Sequence, residues 1–321
     1  MNQQIQDGQS IVIANEVVPE QGEDSYAAQT DASGGLICVA DGCGGIGARR
    51  YALLDNHTEA YAASRLAVDC VCDRVAEMDG AHFPQNADEA RRCAASLVTA
   101  LHDRLTRFHH EYRGNEASQI VRGLHRTLPT TLCLALMDAR GADALDCVFL
   151  WAGDSRGYML TADGLRQCTA DHLARKNDAM DNLYRESRLS NMVNGDGDFR
   201  IDSYGMRIRK PCIVLTATDG AFGYLPTPME FELLLLSTMQ AANDLNGWRV
   251  RLRNLLGKLA SDDCTLVLSC FGFTDYAQLK AHFAERRAAM QRDFVTPVRR
   301  RRQSVDYARG LWEDYRRHYE L

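Results

Sequence analysis

The chain has 321 residues, 45% hydrophobic and 25% charged, with a net charge of −6, enough for one large domain or two ordinary ones with a sizeable core. No apolar run reaches the roughly 18 residues of a membrane span, the N-terminal Met1-Asn2-Gln3-Gln4-Ile5 lacks a signal peptide's basic and apolar stretches, and no basic patch interleaved with aromatics precedes the C-terminal tail. These features exclude membrane and nucleic-acid partners from the reading and lead us to expect a cytoplasmic location.

Short apolar runs at 11–14, 25–29 and 36–40 predict three early strands, separated by turns rich in Gly and Asp. Ala, Leu and charged residues at helical spacing then predict helices over 50–78 and 88–111, divided by Phe83-Pro84-Gln85-Asn86. Strands return at 131–137, 146–152, 157–161, 204–209, 213–217 and 264–271, with helices over 227–240 and 248–259 between the later ones. The polar stretch 175–199, ending in Asn194-Gly195-Asp196-Gly197-Asp198, predicts a long mobile loop with a short helix of the kind that covers a site. The order suggests an α/β or α+β layered domain, with sheets packed together and helices covering them. The 11 cysteines include no Cys-x-x-Cys pair and sit mostly in apolar segments, which reads as core residues in a reducing compartment and argues against a disulfide frame or zinc.

Beyond Gly272 the pattern changes, and the chain divides into residues 1–273 and a helical extension, 274–321. The extension holds 11 Lys and Arg against 7 Asp and Glu, a net +4 on an otherwise acidic body. Tyr276, Leu279 and Phe283 share one helical face, and Tyr307, Leu311, Tyr315 and Tyr319, with Trp312 beside them, make another. That face would either dock a partner or close back over the core. The arginines at 299–302, followed by Gln303-Ser304-Val305, resemble a basophilic kinase site.

Three acids stand at the ends of apolar runs: Asp41 after Leu36-Ile37-Cys38-Val39-Ala40, Asp219 after Ile213-Val214-Leu215-Thr216-Ala217-Thr218, and Asp262 before Asp263-Cys264-Thr265-Leu266. Carboxylates brought together at a sheet rim repel unless they protonate or a hard dication such as Mg²⁺ or Mn²⁺ neutralises them. Function is expected to run through metal.

Seven segments occur in order: Gly22-Glu23-Asp24-Ser25, Val39-Ala40-Asp41-Gly42-Cys43-Gly44-Gly45, Pro129-Thr130-Thr131, Trp151-Ala152-Gly153-Asp154-Ser155-Arg156-Gly157, Thr169-Ala170-Asp171-His172, Thr218-Asp219-Gly220 and Asp262-Asp263-Cys264-Thr265. Together they resemble the metal-dependent protein phosphatases of type 2C, the PPM family, in its bacterial branch. The resemblance implies an α+β fold with a central β-sandwich flanked by helix pairs and a two-metal site, Mg or Mn, at one end. It implies that Asp41 bridges both ions, that the Gly42 carbonyl binds one, that Asp219 and Asp262 complete the shell of the other, and that Glu23 and Asp24 hold bound waters. The implied activity is hydrolysis of phosphoserine and phosphothreonine in proteins by water activated between the ions, opposing a cognate Ser/Thr kinase; the alternative is a pseudophosphatase scaffold that binds phosphoproteins.

The sequence departs from that pattern in places. No Lys or Arg precedes Arg49, so the usual phosphate-binding arginine is missing, and either Arg49 or Arg50 takes its place or the metals hold phosphate alone. Cys43 stands where the eukaryotic branch has a His proposed as general acid, Pro129 replaces the usual Gly, and the acid that would bind a third metal is absent. Asp263 reads as a support for the ligands, Asp154 and Arg156 as structural braces, and His57 and His172 as structural residues.

Overall fold

Continuous apolar runs become strands buried on both faces, as expected of sheets covered on each side. The computed structural model describes residues 4–51, 54–78, 83–112, 126–175, 177–184, 187–301 and 304–320. In chain order the elements are β1 (Gln9–Asn15), β2 (Asp24–Asp31), β3 (Gly34–Asp41), β4 (Arg50–Tyr51), β5 (His57–Thr58), α1 (Glu59–Glu77), α2 (Ala87–Tyr112), β6 (Leu132–Asp138), β7 (Ala144–Ala152), β8 (Arg156–Thr161) and β9 (Gly164–Gln167). There follow α3 (Asp181–Tyr184), β10 (Asp202–Arg209), β11 (Cys212–Ala217), α4 (Pro228–Ala241), α5 (Leu245–Leu259), β12 (Cys264–Phe271), α6 (Tyr276–Ala289), α7 (Thr296–Arg300) and α8 (Val305–Tyr319).

Two five-stranded antiparallel sheets, ordered β1-β12-β11-β8-β9 and β10-β7-β6-β3-β2, pack face to face. Strand alternation sorts the apolar residues into layers. Ile37, Val39, Cys133, Ala135, Phe149, Val214 and Val267 fill the space between the sheets. Their neighbours Leu36, Cys38, Ala40, Leu134 and Leu136 point outward beneath α1 and α2. On the opposite outer face, Leu215, Ala217, Leu266 and Leu268 meet Phe231 and Leu235 of α4 and Trp248 and Leu252 of α5. This is the α+β layered sandwich expected from the sequence.

Antiparallel pairing also sets the working end. Asp24, opening β2, lies opposite Asp41, closing β3, while Ala217 at the end of β11 pairs with Leu266 near the start of β12. The Thr218 hydroxyl, one residue beyond β11, donates to Asp24 Oδ2 at 2.8 Å and ties the two sheets together at this rim.

The residues after Gly272 form α6, α7 and α8. Tyr276, Leu279 and Phe283 are buried, as are Trp312, Tyr315 and Tyr319 of α8, in the same cluster as Tyr158 and Leu215 of the first sheet. Buried aromatics of this size each contribute several kcal/mol of hydrophobic stabilisation, a term comparable with the net stability of a domain. The aromatic face of α8 closes over the core and is not a free docking surface.

Two elements depart from expectation. The helix predicted from residue 50 starts only at Glu59, because Arg50–Tyr51 pairs with His57–Thr58 as a small hairpin and the Thr58 hydroxyl caps the helix by accepting from Tyr61 N–H at 3.0 Å. β9, four residues long, was absent from the sequence reading. The short helix expected in the stretch 175–199 is α3, and described residues around it are tied down by the bridges Leu173 to Leu189 and Thr130 to Val193, with Met180, Met192 and Val193 buried. Of the possible kinase site, Arg302 and Gln303 lie outside the described residues, and Ser304 caps α8 by accepting from Tyr307 N–H at 3.5 Å.

Candidate active site

Asp41 is fixed through its backbone. Its N–H donates to Thr131 Oγ1 at 3.0 Å, and its carbonyl accepts from Thr131 N–H and Thr130 Oγ1, both at 2.8 Å. Cys43 N–H donates to the Pro129 carbonyl at 3.1 Å, so the Pro129-Thr130-Thr131 segment serves as the anchor of the turn after β3. Two glycines let that turn press inward. A Cβ on Gly42 would lie 2.4 Å from the Ala60 carbonyl oxygen, and one on Gly44 would lie 2.0 Å from Glu23 Oε2.

Asp219 opens a 3-10 turn directly after β11, where its carbonyl accepts from Phe222 and Gly223 N–H at 3.0 and 2.6 Å. Gly220 is required there, since a Cβ would meet the Asp263 carbonyl oxygen at 1.9 Å. Asp263 uses both carboxylate oxygens as a tether, accepting from Val17 N–H at 2.8 Å and Glu23 N–H at 2.6 Å. That leaves its neighbour, the exposed Asp262, at the mouth of the site. Glu23 is held in turn by the Thr58 hydroxyl, which donates to its Oε1 at 2.5 Å.

These pieces line an open cleft of about 500 Å³ bounded by Glu23, Asp41, Gly42, Gly44, Gly45, Ala48, Arg50, Thr58, Asp262 and Asp263. Asp24, Asp154 and Asp219 stand behind its wall, close enough to raise the proton affinity of Asp41. Burial is the largest cause in each case, and neighbouring carboxylates add to it. It pushes Asp24 up to about 7, where Asp263 and Asp219 add to it. It pushes Asp154 up to about 8, with Asp219 next in weight. Asp41 lies well above the usual carboxylate range and Asp219 is raised, with Asp262 its main charged neighbour. Among the described residues Asp24 Oδ1 is buried without a hydrogen-bond partner.

All the candidate donors are oxygens: carboxylates and the Gly42 carbonyl. Among the described residues no group of three or more His, Cys, Asp or Glu side chains is arranged to hold an ion as it stands. The donor chemistry and the orphaned Asp24 oxygen nevertheless fit a hard dication, which would supply the positive charge that these acids lack.

A pH dependence follows for the metal-free chain. Asp24 and Asp154 bind their protons more tightly folded than unfolded, so the stability they confer is present at acid pH and is lost as pH rises through about 7 and 8. In EDTA the melting temperature should fall between pH 6.5 and 8.5. Saturating Mn²⁺ should flatten or reverse that slope, because metal competes with these protons; thermal scans at both pH values check it.

Most of the other residues singled out from sequence are held by contacts within the fold. Arg156, 2% exposed, bonds Asp171 through Nε and Nη2 at 2.9 and 2.6 Å. His172 accepts at Nδ1 from Gly153 N–H at 3.1 Å and donates from Nε2 to Asp202 Oδ2 at 2.9 Å; burial, the largest cause, pushes its pKa down. Both ring nitrogens of His57 meet backbone carbonyls, those of Leu54 and Glu20. Burial first, and then Asp41, push the Cys43 thiol well above its usual range, which keeps it protonated. Arg50 is on the cleft wall, whereas the Arg49 guanidinium lies over the Tyr51 ring at 5.8 Å. The sequence reading missed the anchoring roles of Thr130, Thr131 and Thr58; the adjacent threonines next to the acid-bearing turn were the available signal.

No family model and no curated protein matches the sequence. Solved structures do. The chain is similar to the catalytic domain of the serine/threonine phosphatase PstP in complex with two manganese ions, at 18% identity and a TM-score of 0.54 over 83% of this chain and 99% of that one. It is similar to the Staphylococcus aureus serine/threonine phosphatase Stp1, at 16% identity and a TM-score of 0.56 over 84% and 99%. It is also similar to PppA, a key regulatory component of T6SS in Pseudomonas aeruginosa, at 22% identity and a TM-score of 0.54 over 84% and 100%. The fold is therefore that of the bacterial type 2C phosphatases.

Proposed function

We propose that the chain is a Mg²⁺- or Mn²⁺-dependent protein serine/threonine phosphatase of type 2C, with residues 1–273 as the catalytic unit and 274–321 built onto it. The observation that carries this reading is the gathering of Asp41, Asp219, Asp24 and Asp262 around one cleft, with the proton affinities of Asp41, Asp219 and Asp24 raised by burial and by neighbouring carboxylates. The fold likeness to phosphatases, one of them solved with two manganese ions, supports it.

In this reading Asp41, the Gly42 carbonyl, Asp219 and Asp262 are the groups that would hold two ions. When bound, two such ions would supply Lewis-acid activation of water near neutral pH and positive charge against the phosphoryl oxygens. The chain's own groups do the rest. Glu23 and Asp24 accept hydrogen bonds from waters in the cleft, and Thr58 and Thr218 hold those two carboxylates in place. Burial holds the Cys43 thiol protonated in the metal-free chain, and the proton for the leaving alkoxide is proposed to come from solvent.

Arg50 supplies the phosphate contact that the N-terminal segment lacks. Its Nη1 donates to Gln21 Oε1 and the Asn56 carbonyl at 3.2 and 2.7 Å, which aims the guanidinium along the cleft wall. An Arg50→Ala variant should raise KM for a phosphopeptide by about tenfold, the worth of a charge-assisted hydrogen bond, with a smaller change in kcat. Steady-state kinetics, with inorganic phosphate as a competing inhibitor, reads both. Substrates are proposed to be phosphorylated proteins, the products of a Ser/Thr kinase that the phosphatase opposes.

Hydrolysis of a phosphothreonine peptide tests the function. Turnover should require Mn²⁺ or Mg²⁺, stop in EDTA, and be lost in Asp219→Ala. Tight phosphopeptide binding without metal-dependent turnover would instead establish the scaffold reading.

A further inference from the structure

The C-terminal helix is joined to the acidic cleft by a continuous run of polar contacts. Arg309 of α8 donates through Nη1 to Asp178 Oδ2 at 2.7 Å and through Nη2 to Asp181. Glu320, just past α8, accepts from Ala179 N–H at 2.7 Å. These contacts pin residues 178–181, and the next residue carries the connection inward. Asn182 Nδ2 donates to Asp171 Oδ2 at 2.8 Å. Asp171 in turn holds the buried Arg156, whose guanidinium lies 4.1 Å from the centre of the Phe222 ring. Phe222 N–H closes the turn that begins at Asp219, donating to its carbonyl at 3.0 Å.

Packing runs alongside these contacts. Ala179, Met180, Phe222, Trp312, Tyr315 and Tyr319 belong to one buried cluster. An arm that only covered apolar surface would not place three ion pairs, those of Arg309 with Asp178 and Asp181 and of Arg316 with Asp178, and a backbone contact on a single four-residue stretch. The Asp178 to Arg309 pair is partly shielded, with 10% and 30% side-chain exposure, so it holds geometry better than a surface pair would.

We propose that α8 is a clamp that positions the Asp219 turn, with Arg309 and Asn182 as positioning residues acting through Asp171 and Arg156. Its importance for catalysis rests on the reading of Asp219 as a ligand of the working site. The mechanical coupling does not, since it concerns the metal-free chain. Networks of this kind carry coupling between distant groups through contacts with more than one arrangement.

The test uses hydrogen–deuterium exchange on the full metal-free chain, followed by calorimetric titration with Mn²⁺ alone. Arg309→Gln should speed exchange in 177–184 and also at the Phe222 and Gly223 amides, by roughly 3- to 10-fold. Asn182→Ala, which cuts the connection further in, should speed exchange at Phe222 and Gly223. Arg317→Ala, on the exposed face of α8 beside Asp314, should match wild type. In the titration both positioning variants should bind Mn²⁺ more weakly by a similar factor, and Arg309→Lys should recover part of the loss. The clamp is overturned if the Phe222 and Gly223 amides exchange at the wild-type rate in both variants, whatever happens at 177–184 or to the melting temperature. If wild type itself takes up no Mn²⁺, the phosphatase reading fails, and the exchange result still decides the clamp.

Discussion

Replacing Asp41 by Asn should lower phosphopeptide hydrolysis by about 10³-fold or more, and it should make the metal-free chain more stable to heat. The first effect follows from position. Asp41 is the acid on the cleft wall to which Asp24, Asp219, Asp154 and Asp262 are all close enough to contribute repulsion, so it is the one proposed to touch both ions. Two-metal catalysis contributes several kcal/mol through charge neutralisation and water activation, and about 4 kcal/mol corresponds to roughly 10³ in rate. The second effect has the opposite sign from an ordinary loss of function. Asn keeps the shape of Asp while removing a carboxyl that must take up a proton or bear a buried charge on folding, and a gain of about 1 kcal/mol would raise the melting temperature of a chain of 321 residues by roughly 1–2 °C. Kinetics in Mn²⁺ and thermal scans in EDTA check the pair. Activity within tenfold of wild type, or a lowered melting temperature without metal, contradicts this assignment.

Glu232→Ala should cost about 3–5 kcal/mol of stability, the usual result of breaking a buried charge pair on one side. Glu232, on α4, is fully buried and accepts from Arg286 Nε and Nη2 of α6 at 2.6 and 3.0 Å and from the Tyr315 hydroxyl of α8 at 2.6 Å. Without it the Arg286 guanidinium, 16% exposed, and a buried phenol are left unpaired between three helices. Urea denaturation measures the loss. A double change, Glu232→Leu with Arg286→Met, should recover most of it, since apolar replacement of a buried pair is often close to neutral. A Glu232→Ala loss below about 1 kcal/mol would mean that α6 and α8 contribute far less to the fold than their packing indicates.

Much of the fold was legible because burial on both faces forces continuous apolar runs. β3, β11 and β12 could be read directly, and so could the acids at their ends, because a strand that stops at Asp-Gly leaves its carboxylate at a sheet rim. The short elements were not legible. β4 and β5 are two residues each, too short for any period to register, so Arg50 and Tyr51 were absorbed into the helix that Thr58 in fact begins. β9 is four residues long and failed for the same reason. Asp263 was read as a support for its neighbour, and its two carboxylate oxygens do anchor the amides of Val17 and Glu23.

Long-range polar partners were beyond the reach of sequence pattern. Arg156 was read as a brace, but its partner Asp171 and the connection through Asn182 to Asp178 and Arg309 depend on how distant segments pack. The aromatic periodicity of α8 showed that one face was apolar without showing what covered it. Burial of Trp312, Tyr315 and Tyr319 against Tyr158 and its neighbours answers that question.

Anomalous diffraction from crystals of the full chain soaked in Mn²⁺ tests the central claim most directly. Two peaks are expected in the cleft, both beside Asp41, one also beside the Gly42 carbonyl and the other beside Asp219 and Asp262. A cleft without a peak at saturating Mn²⁺, with these acids still gathered around it, would contradict the account.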